Sequence, residues 1–243
     1  MLCADELSRL CLPQNRLLAS LPESERGSLL ASCILRRVQA AEVLAEPGQV
    51  MPQIFFPLDT LVSLLAVAEG RMTLEVVLVG QEGMVGASAA LSARPAQFRA
   101  VVQRAGWLVC LEATQFRRAF ERMPSLQRQV QRYTDVLLAQ ALQIAMCSRF
   151  HILEARLARS LLITRERLRL EKFHLTHEFL AQMLGVRRVG VTKAASALQH
   201  KQLICYSRGN IEMLDAAGLA AVACPCYSLV KEDGALGVGQ VYR

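Results

Sequence analysis

The chain has 243 residues, 53% of them hydrophobic, and a formal net charge of +7, which is enough for two modest domains, each with its own core. No apolar run approaches the ~18 uninterrupted residues of a membrane-spanning helix, and Met1 to Leu10 holds Asp5 and Glu6 without a basic or apolar stretch, so neither a signal peptide nor a membrane partner is expected. A cytoplasmic location follows, and the scattered cysteines, none in a CxxC pair, read as reduced thiols rather than a disulfide framework.

In chain order, residues 13–33 carry Leu17, Leu18, Leu21, Leu29 and Leu30 at helical spacing, with Pro22 and Ser24 marking a restart. Two short helices are predicted. From Ile34 to about Leu111 the pattern changes to short apolar runs (IFFPLDTLVSLLAV, EGRMTLEVVLVG, FRAVVQRAGWLVCLE) punctuated by Gly48, Gly70, Gly80, Gly83 and Gly106. That spacing predicts an antiparallel β-roll of the jelly-roll kind.

After Ala113 glycine and proline nearly vanish, leaving only Pro124 before Leu184. Leu126, Val130, Tyr133, Leu137, Ile144 and Cys147 follow at close to a 3.5-residue period, with Gln140 at the skipped place. This suits a long helix that pairs with a copy of itself; packing on its own domain is the other reading. Residues 152–170 form a further amphipathic helix, with Leu153, Leu157, Leu161 and Leu168 on one side and Arg156, Arg159 and Arg167 elsewhere.

The most informative stretch is LTHEFLAQMLGVRRVGVTKAASALQHKQLICYSRGNIEMLD, which begins at Leu175. Thr176 is placed to cap a helix that ends at Gly185, with Glu178 in its first turn. A second helix begins near Arg187 and turns Val191, Ala194, Ala195 and Leu198 inward. Two strand-like runs follow, 203–206 and 211–214, joined by Ser207-Arg208-Gly209-Asn210, in which Gly209 and Asn210 supply positive φ. A helix-turn-helix followed directly by a hairpin is a winged helix. Between Thr176 and Ile211 five cations (Arg187, Arg188, Lys193, Lys201, Arg208) face one acid, Glu178, a footprint suited to phosphate.

This order of β-roll, long helix and winged helix-turn-helix, with the stretch quoted above, resembles the Crp/Fnr family of bacterial regulators, over about Leu17 to Tyr227. The fold expected is therefore α+β, with a cyclic-nucleotide-binding-like sensor domain (1–118), a dimerisation helix (119–149), a winged helix-turn-helix (150–227) and a tail (228–243). The resemblance implies a transcription regulator that is a homodimer on a palindromic operator in double-stranded DNA, with RNA polymerase as a further partner. The family's base-reading positions fall on Arg188, Val189, Thr192 and Lys193; Thr176, His177, Arg187 and the wing-tip Arg208 are assigned to phosphate. Val189 departs from the acidic residue of the best-known members, so their operator is not carried over.

Cyclic-nucleotide-binding relatives place a glutamate after a glycine for the ribose hydroxyl, and an arginine some dozen residues later for the phosphate. Here the glycine segment is matched to Gly83, Met84, Val85 and Gly86, and the arginine position to Ala96 or Gln97; a shifted match brings in Arg94 or Arg99 but leaves Met84 with no partner for a hydroxyl. With both anchors missing, cyclic AMP is not expected to bind; an unknown small-molecule effector remains open. An iron–sulfur cluster on Cys3, Cys11 and Cys110 lacks the tight N-terminal cysteine group the family uses. Cys224-Pro225-Cys226 has no second Cys or His pair nearby in sequence, and the four histidines show no metal spacing, so no cofactor or metal is expected. The chain contains none of the HExxH, GxSxG, phosphate-loop or dinucleotide motifs, which argues against an enzyme. The rival reading is a signalling module that binds a ligand or partner without DNA.

Overall fold

The computed structural model of the chain describes residues 14–68, 72–92, 94–168 and 170–228. Within them lie two compact units, one of residues 14–66 and 77–139 and one of residues 67–76 and 140–228. Cys3, Cys11, Gly70 and, apart from Ser228, the tail 228–243 fall outside the described residues.

The first unit opens with α1 (Arg16–Ala19) and α2 (Glu23–Leu30), the restart falling at Pro22 as the sequence suggested. Asn15, fully buried, caps α1 by accepting from the Leu18 amide at 3.1 Å. Its amide also donates to the carbonyls of Pro57 and Gly83 at 2.9 and 3.0 Å, so this buried side chain has a partner for each polar group. Seven strands follow: β1 (Ile34–Val38), β2 (Val43–Ala45), β3 (Gln53–Pro57), β4 (Leu61–Val67), β5 (Thr73–Val79), β6 (Arg99–Arg104) and β7 (Gly106–Glu112). They form a three-stranded sheet, β1-β7-β3, and a four-stranded sheet, β2-β6-β4-β5, with antiparallel pairing of β7 to β1 and β3 and of β6 to β2 and β4. Ile54, Phe56, Val62, Val79, Val102 and Leu108 form the interior, each contributing about 1.5–3 kcal/mol by leaving water. A short helix, α3 (Ala87–Leu91), lies between β5 and β6. After β7, α4 (Ala113–Arg122) sets Phe116 against Phe56, with ring centroids 6.1 Å apart.

The long helix is present as expected: α5 (Pro124–Phe150) is 27 residues. Proline suits its first position, where the missing amide hydrogen is not needed. The carboxylate of Glu25 accepts from the amides of Ser125 and Leu126 at 3.3 and 3.2 Å, placing an anion at the positive end of the helix. The face expected to pair with a copy is partly covered by the chain itself, however. Leu126 and Val130 are fully buried and Tyr133 nearly so, against the first unit's own core, while Leu137 and Ile144 are half-buried. The 3.5-residue pattern served docking on the chain's own domain at its N-terminal end. A different stripe, Leu138, Leu142, Met146 and Phe150, is exposed at 60%, 63%, 46% and 73%; its four-residue steps place it on one face.

The second unit contains α6 (Leu153–Leu168), β8 (Lys172–His174), α7 (His177–Leu184), α8 (Arg188–His200), β9 (Ile204–Ser207), β10 (Asn210–Met213) and α9 (Ala216–Val222). Leu157, Leu161, Leu180, Leu184, Val191, Leu198 and Leu219 share its core. The hairpin β9–β10 gains a third strand, giving the antiparallel order β8-β10-β9. Arg156 and Arg159, expected outside, are instead 8% and 6% exposed. Arg156 is held there because its guanidinium donates to the carbonyl of Leu184, at the end of α7, satisfying a buried helix-terminal acceptor with a charged donor. No helix among the described residues is long and apolar enough to cross a membrane.

Candidate nucleic-acid interface

The helix-turn-helix is built by local rules that the sequence displays. The Thr176 hydroxyl accepts from the Phe179 amide at 3.2 Å, capping α7. Leu180, Ala181, Met183 and Leu184 form its buried side. At its end Gly185 adopts φ 64° and ψ 40°, a left-handed conformation that residues with a Cβ enter at a cost. The amide of Val186 then returns to the Ala181 carbonyl at 3.1 Å, and Arg187 serves as N-cap residue of α8.

Because Val191, Ala194, Ala195 and Leu198 face the core, the opposite face of α8 presents Arg188, Val189, Thr192 and Lys193, all exposed. Ser196, one turn beyond Thr192, is exposed on the same face and was not anticipated, although its four-residue spacing could have revealed it. Arg187, Arg188, Lys193 and Arg208 have no carboxylate partner among the described residues, whereas Lys201, counted with them from sequence, is paired with Glu154 at 2.6 Å. Arg208 sits at the tip of the wing in a two-residue turn, where positive φ falls on Arg208 (49°) and Gly209 (87°) rather than on Asn210. That turn matches the strand twist. A Cβ on Gly209 would lie 2.5 Å from the His174 ring.

His177, assigned to phosphate from the sequence, is engaged by its neighbours. Its ring stacks on Tyr206, centroids 4.2 Å apart and planes 15° from parallel, and Nδ1 lies 3.1 Å from the Thr192 hydroxyl. Nε2 is buried without a hydrogen-bond partner among the described residues, and the half-buried ring touches both the wing and α8. Burial, with the Arg188 cation adding to it, holds this imidazole below its ordinary value.

In the first unit the glycine-initiated helix starts three residues later than the sequence match placed it. Gly86 precedes α3 and Ala87 begins it. Met84 and Val85 are fully buried, and the Met84 carbonyl accepts from the Tyr133 hydroxyl at 3.0 Å. Gly83 is in close approach to the same ring. Ala87, like Met84, has no polar side-chain group to pair with a ribose hydroxyl. Ala96 is buried and Gln97 exposed, while Arg99, at the start of β6 and a dozen residues after Ala87, is paired with Glu46 at 2.8 Å. Cys110 is fully buried, and burial pushes its thiol up, away from the thiolate a cluster needs.

The second unit also brings together residues the sequence kept apart. The donor atoms of Cys147, His151, Cys224 and Cys226 lie within 4.8 Å of one another. The hydrogen bond between Cys147 and Cys224 holds the Cys147 thiol down against the opposing effect of burial and pushes the Cys224 thiol up.

A family model for the Crp-like helix-turn-helix domain matches residues 155–222. No curated protein sequence matches the chain. Among solved structures, a transcriptional regulator of the Crp/Fnr family from Thermus thermophilus is 26% identical with a TM-score of 0.67, over 78% of this chain and 98% of that one. A Crp/Fnr-family regulator from Eubacterium rectale is similar at TM-score 0.71 and 15% identity, covering 85% and 96%. The c-di-GMP-responsive global regulator CLP of Xanthomonas campestris is similar at 0.68 and 14%, covering 79% and 99%. The chain thus has the fold of the Crp/Fnr family of transcriptional regulators, and its residues 155–222 are a Crp-like helix-turn-helix domain.

Proposed function

We propose that the chain is a sequence-specific DNA-binding regulator that holds a palindromic operator as a homodimer and acts by binding rather than catalysis. The observation that carries this reading is the exposed face of α8, with four cations around it that have no carboxylate partner among the described residues. An α-helix ~10–12 Å across fits the ~12 Å major groove. Arg188 presents the fork that pairs with guanine N7 and O6, Lys193 reaches a guanine edge or phosphate, and Val189, 60% exposed, offers an apolar contact to a thymine methyl. Arg187 and Arg208 take backbone phosphates, where no ion pair has to break first.

The exposed stripe Leu138, Leu142, Met146 and Phe150 supplies the dimer seam, with Leu137 and Ile144 at its edge. Two copies then address half-sites about one helical turn apart. Neither Met84 nor Ala87 has a side-chain partner for a ribose hydroxyl, and Arg99 is paired with Glu46, so the effector of this domain is not a cyclic nucleotide. RNA polymerase is the further partner through which binding changes transcription. Selection of bound duplexes from random DNA tests the reading: an enriched palindrome with half-sites ~10 bp apart is expected, and the absence of any enriched motif refutes it.

A further inference from the structure

The cysteine–histidine cluster is independent of DNA recognition. Its four residues come from two distant segments. Cys147 and His151 stand one turn apart at the end of α5, and Cys224 and Cys226 flank Pro225 just after α9. Three of the four, Cys147, Cys224 and Cys226, are 1%, 3% and 1% exposed, and His151 is half-buried. The Cys147 and Cys224 sulfurs are 3.6 Å apart, and Cys226 Sγ is 3.4 Å from His151 Nδ1.

These separations fit the donor set of one ion and are too long for a disulfide. A disulfide requires sulfurs ~2.05 Å apart. Tetrahedral zinc, with Zn–S ~2.3 Å and Zn–N ~2.0–2.1 Å, sets its donor atoms ~3.4–3.8 Å from each other. An iron–sulfur cube, which takes one ligand at each of four irons, needs a wider ring than the 4.8 Å that encloses these donors.

The surroundings match as well. The Gln143 amide donates to the Cys226 sulfur at 2.7 Å, the type of outer contact that orients a metal-bound thiolate. Arg159, 6% exposed, has a buried Nε with no hydrogen-bond partner among the described residues, and its charge acts on Cys147. Three thiolates, one neutral imidazole and Zn²⁺ sum to a net charge of −1, a counter-charge for a buried guanidinium that has no carboxylate partner among the described residues.

We propose that Cys147, His151, Cys224 and Cys226 form a closed, structural zinc site that fastens the segment after α9 to the end of α5. With four protein ligands no position is left for water, so the ion is structural rather than catalytic. Binding releases the thiol protons and adds its free energy to the folding of the second unit.

The test is metal analysis of the full, untagged chain purified under reductant. About one zinc per chain is expected, with zinc falling at least about tenfold in Cys224→Ser and Cys226→Ser and unchanged in Cys205→Ser, whose exposed thiol lies outside the cluster. Should the serine variants not fold, chelation of the wild-type chain followed by cobalt(II) titration gives an independent readout, with sulfur-to-cobalt charge-transfer and tetrahedral d–d bands expected. Iron in place of zinc, a folded metal-free chain that takes up no cobalt, or full zinc retention in Cys226→Ser would overturn the proposal.

Discussion

Replacing Gly83 by alanine probes the join between the β-roll and the long helix. The added Cβ would lie 2.2 Å from Tyr133 Cε2 and 2.4 Å from its hydroxyl, far inside contact distance. Tyr133 is 6% exposed and cannot swing into solvent without leaving the core, and any shift breaks its 3.0 Å hydrogen bond to the Met84 carbonyl. Overpacking of this kind costs about 1–3 kcal/mol, and loss of the hydrogen bond about 0.5–1.5 kcal/mol more. The expected destabilisation is therefore about 2–4 kcal/mol, or a fall in Tm of roughly 5–15 °C at the usual slope for a chain of this size. Urea unfolding followed by circular dichroism measures it. Because the cost arises from one ring, Tyr133→Leu should absorb most of it: Gly83→Ala combined with Tyr133→Leu should be little worse than Tyr133→Leu alone. A Gly83→Ala chain within about 0.5 kcal/mol of wild type, or two strictly additive effects, would refute the reasoning.

Three further outcomes are expected. Arg188→Ala should weaken operator binding by about 1–3 kcal/mol and relax preference at one base pair, whereas Arg208→Ala should weaken all sequences alike and lower the salt slope by about 1; competition binding to single-base operator variants separates the two. Since burial and Arg188 depress the folded-state value of His177 below the unfolded ~6.5, the unfolded chain takes the proton more readily. The stability this contributes is complete above pH ~6.5 and is lost as pH falls through the folded-state value. His177→Gln should flatten that acid-side decline in Tm, and an unchanged slope would contradict it. Leu138→Asp with Leu142→Asp, on the exposed stripe, should convert a dimer to a monomer at micromolar concentration in sedimentation velocity without loss of helix content; a persistent dimer would place the seam elsewhere.

The helix-turn-helix was legible because its rules are local. Thr176 as a cap, Gly185 as a left-handed stop and the inward set Val191, Ala194, Ala195 and Leu198 depend on neighbours within a few residues. Residues whose meaning depends on distant partners were not legible. The 3.5-residue run through Leu126, Val130 and Tyr133 fits a partner copy and the chain's own core equally well, and only burial tells them apart. Arg156 looked like a solvent residue until the Leu184 carbonyl supplied its partner. The strand Lys172–His174 is too short to show alternation and exists through pairing with β10. Cys224 and Cys226 seemed isolated because their companions, Cys147 and His151, lie more than 70 positions away in the chain. The offset between Met84 and Ala87 arose because glycines at both 83 and 86 fit the same pattern, and only the start of α3 at Ala87 chooses between them.

The central claim, that the exposed face of α8 reads base sequence, is tested most directly by fluorescence anisotropy of the full chain on its selected operator and on a scrambled duplex, from low to physiological salt. The account predicts at least ~10³-fold tighter binding to the operator at physiological salt, with affinity for both duplexes falling linearly in log–log against salt as phosphate contacts are screened. Equal affinity for the two duplexes, or binding to neither, would contradict it.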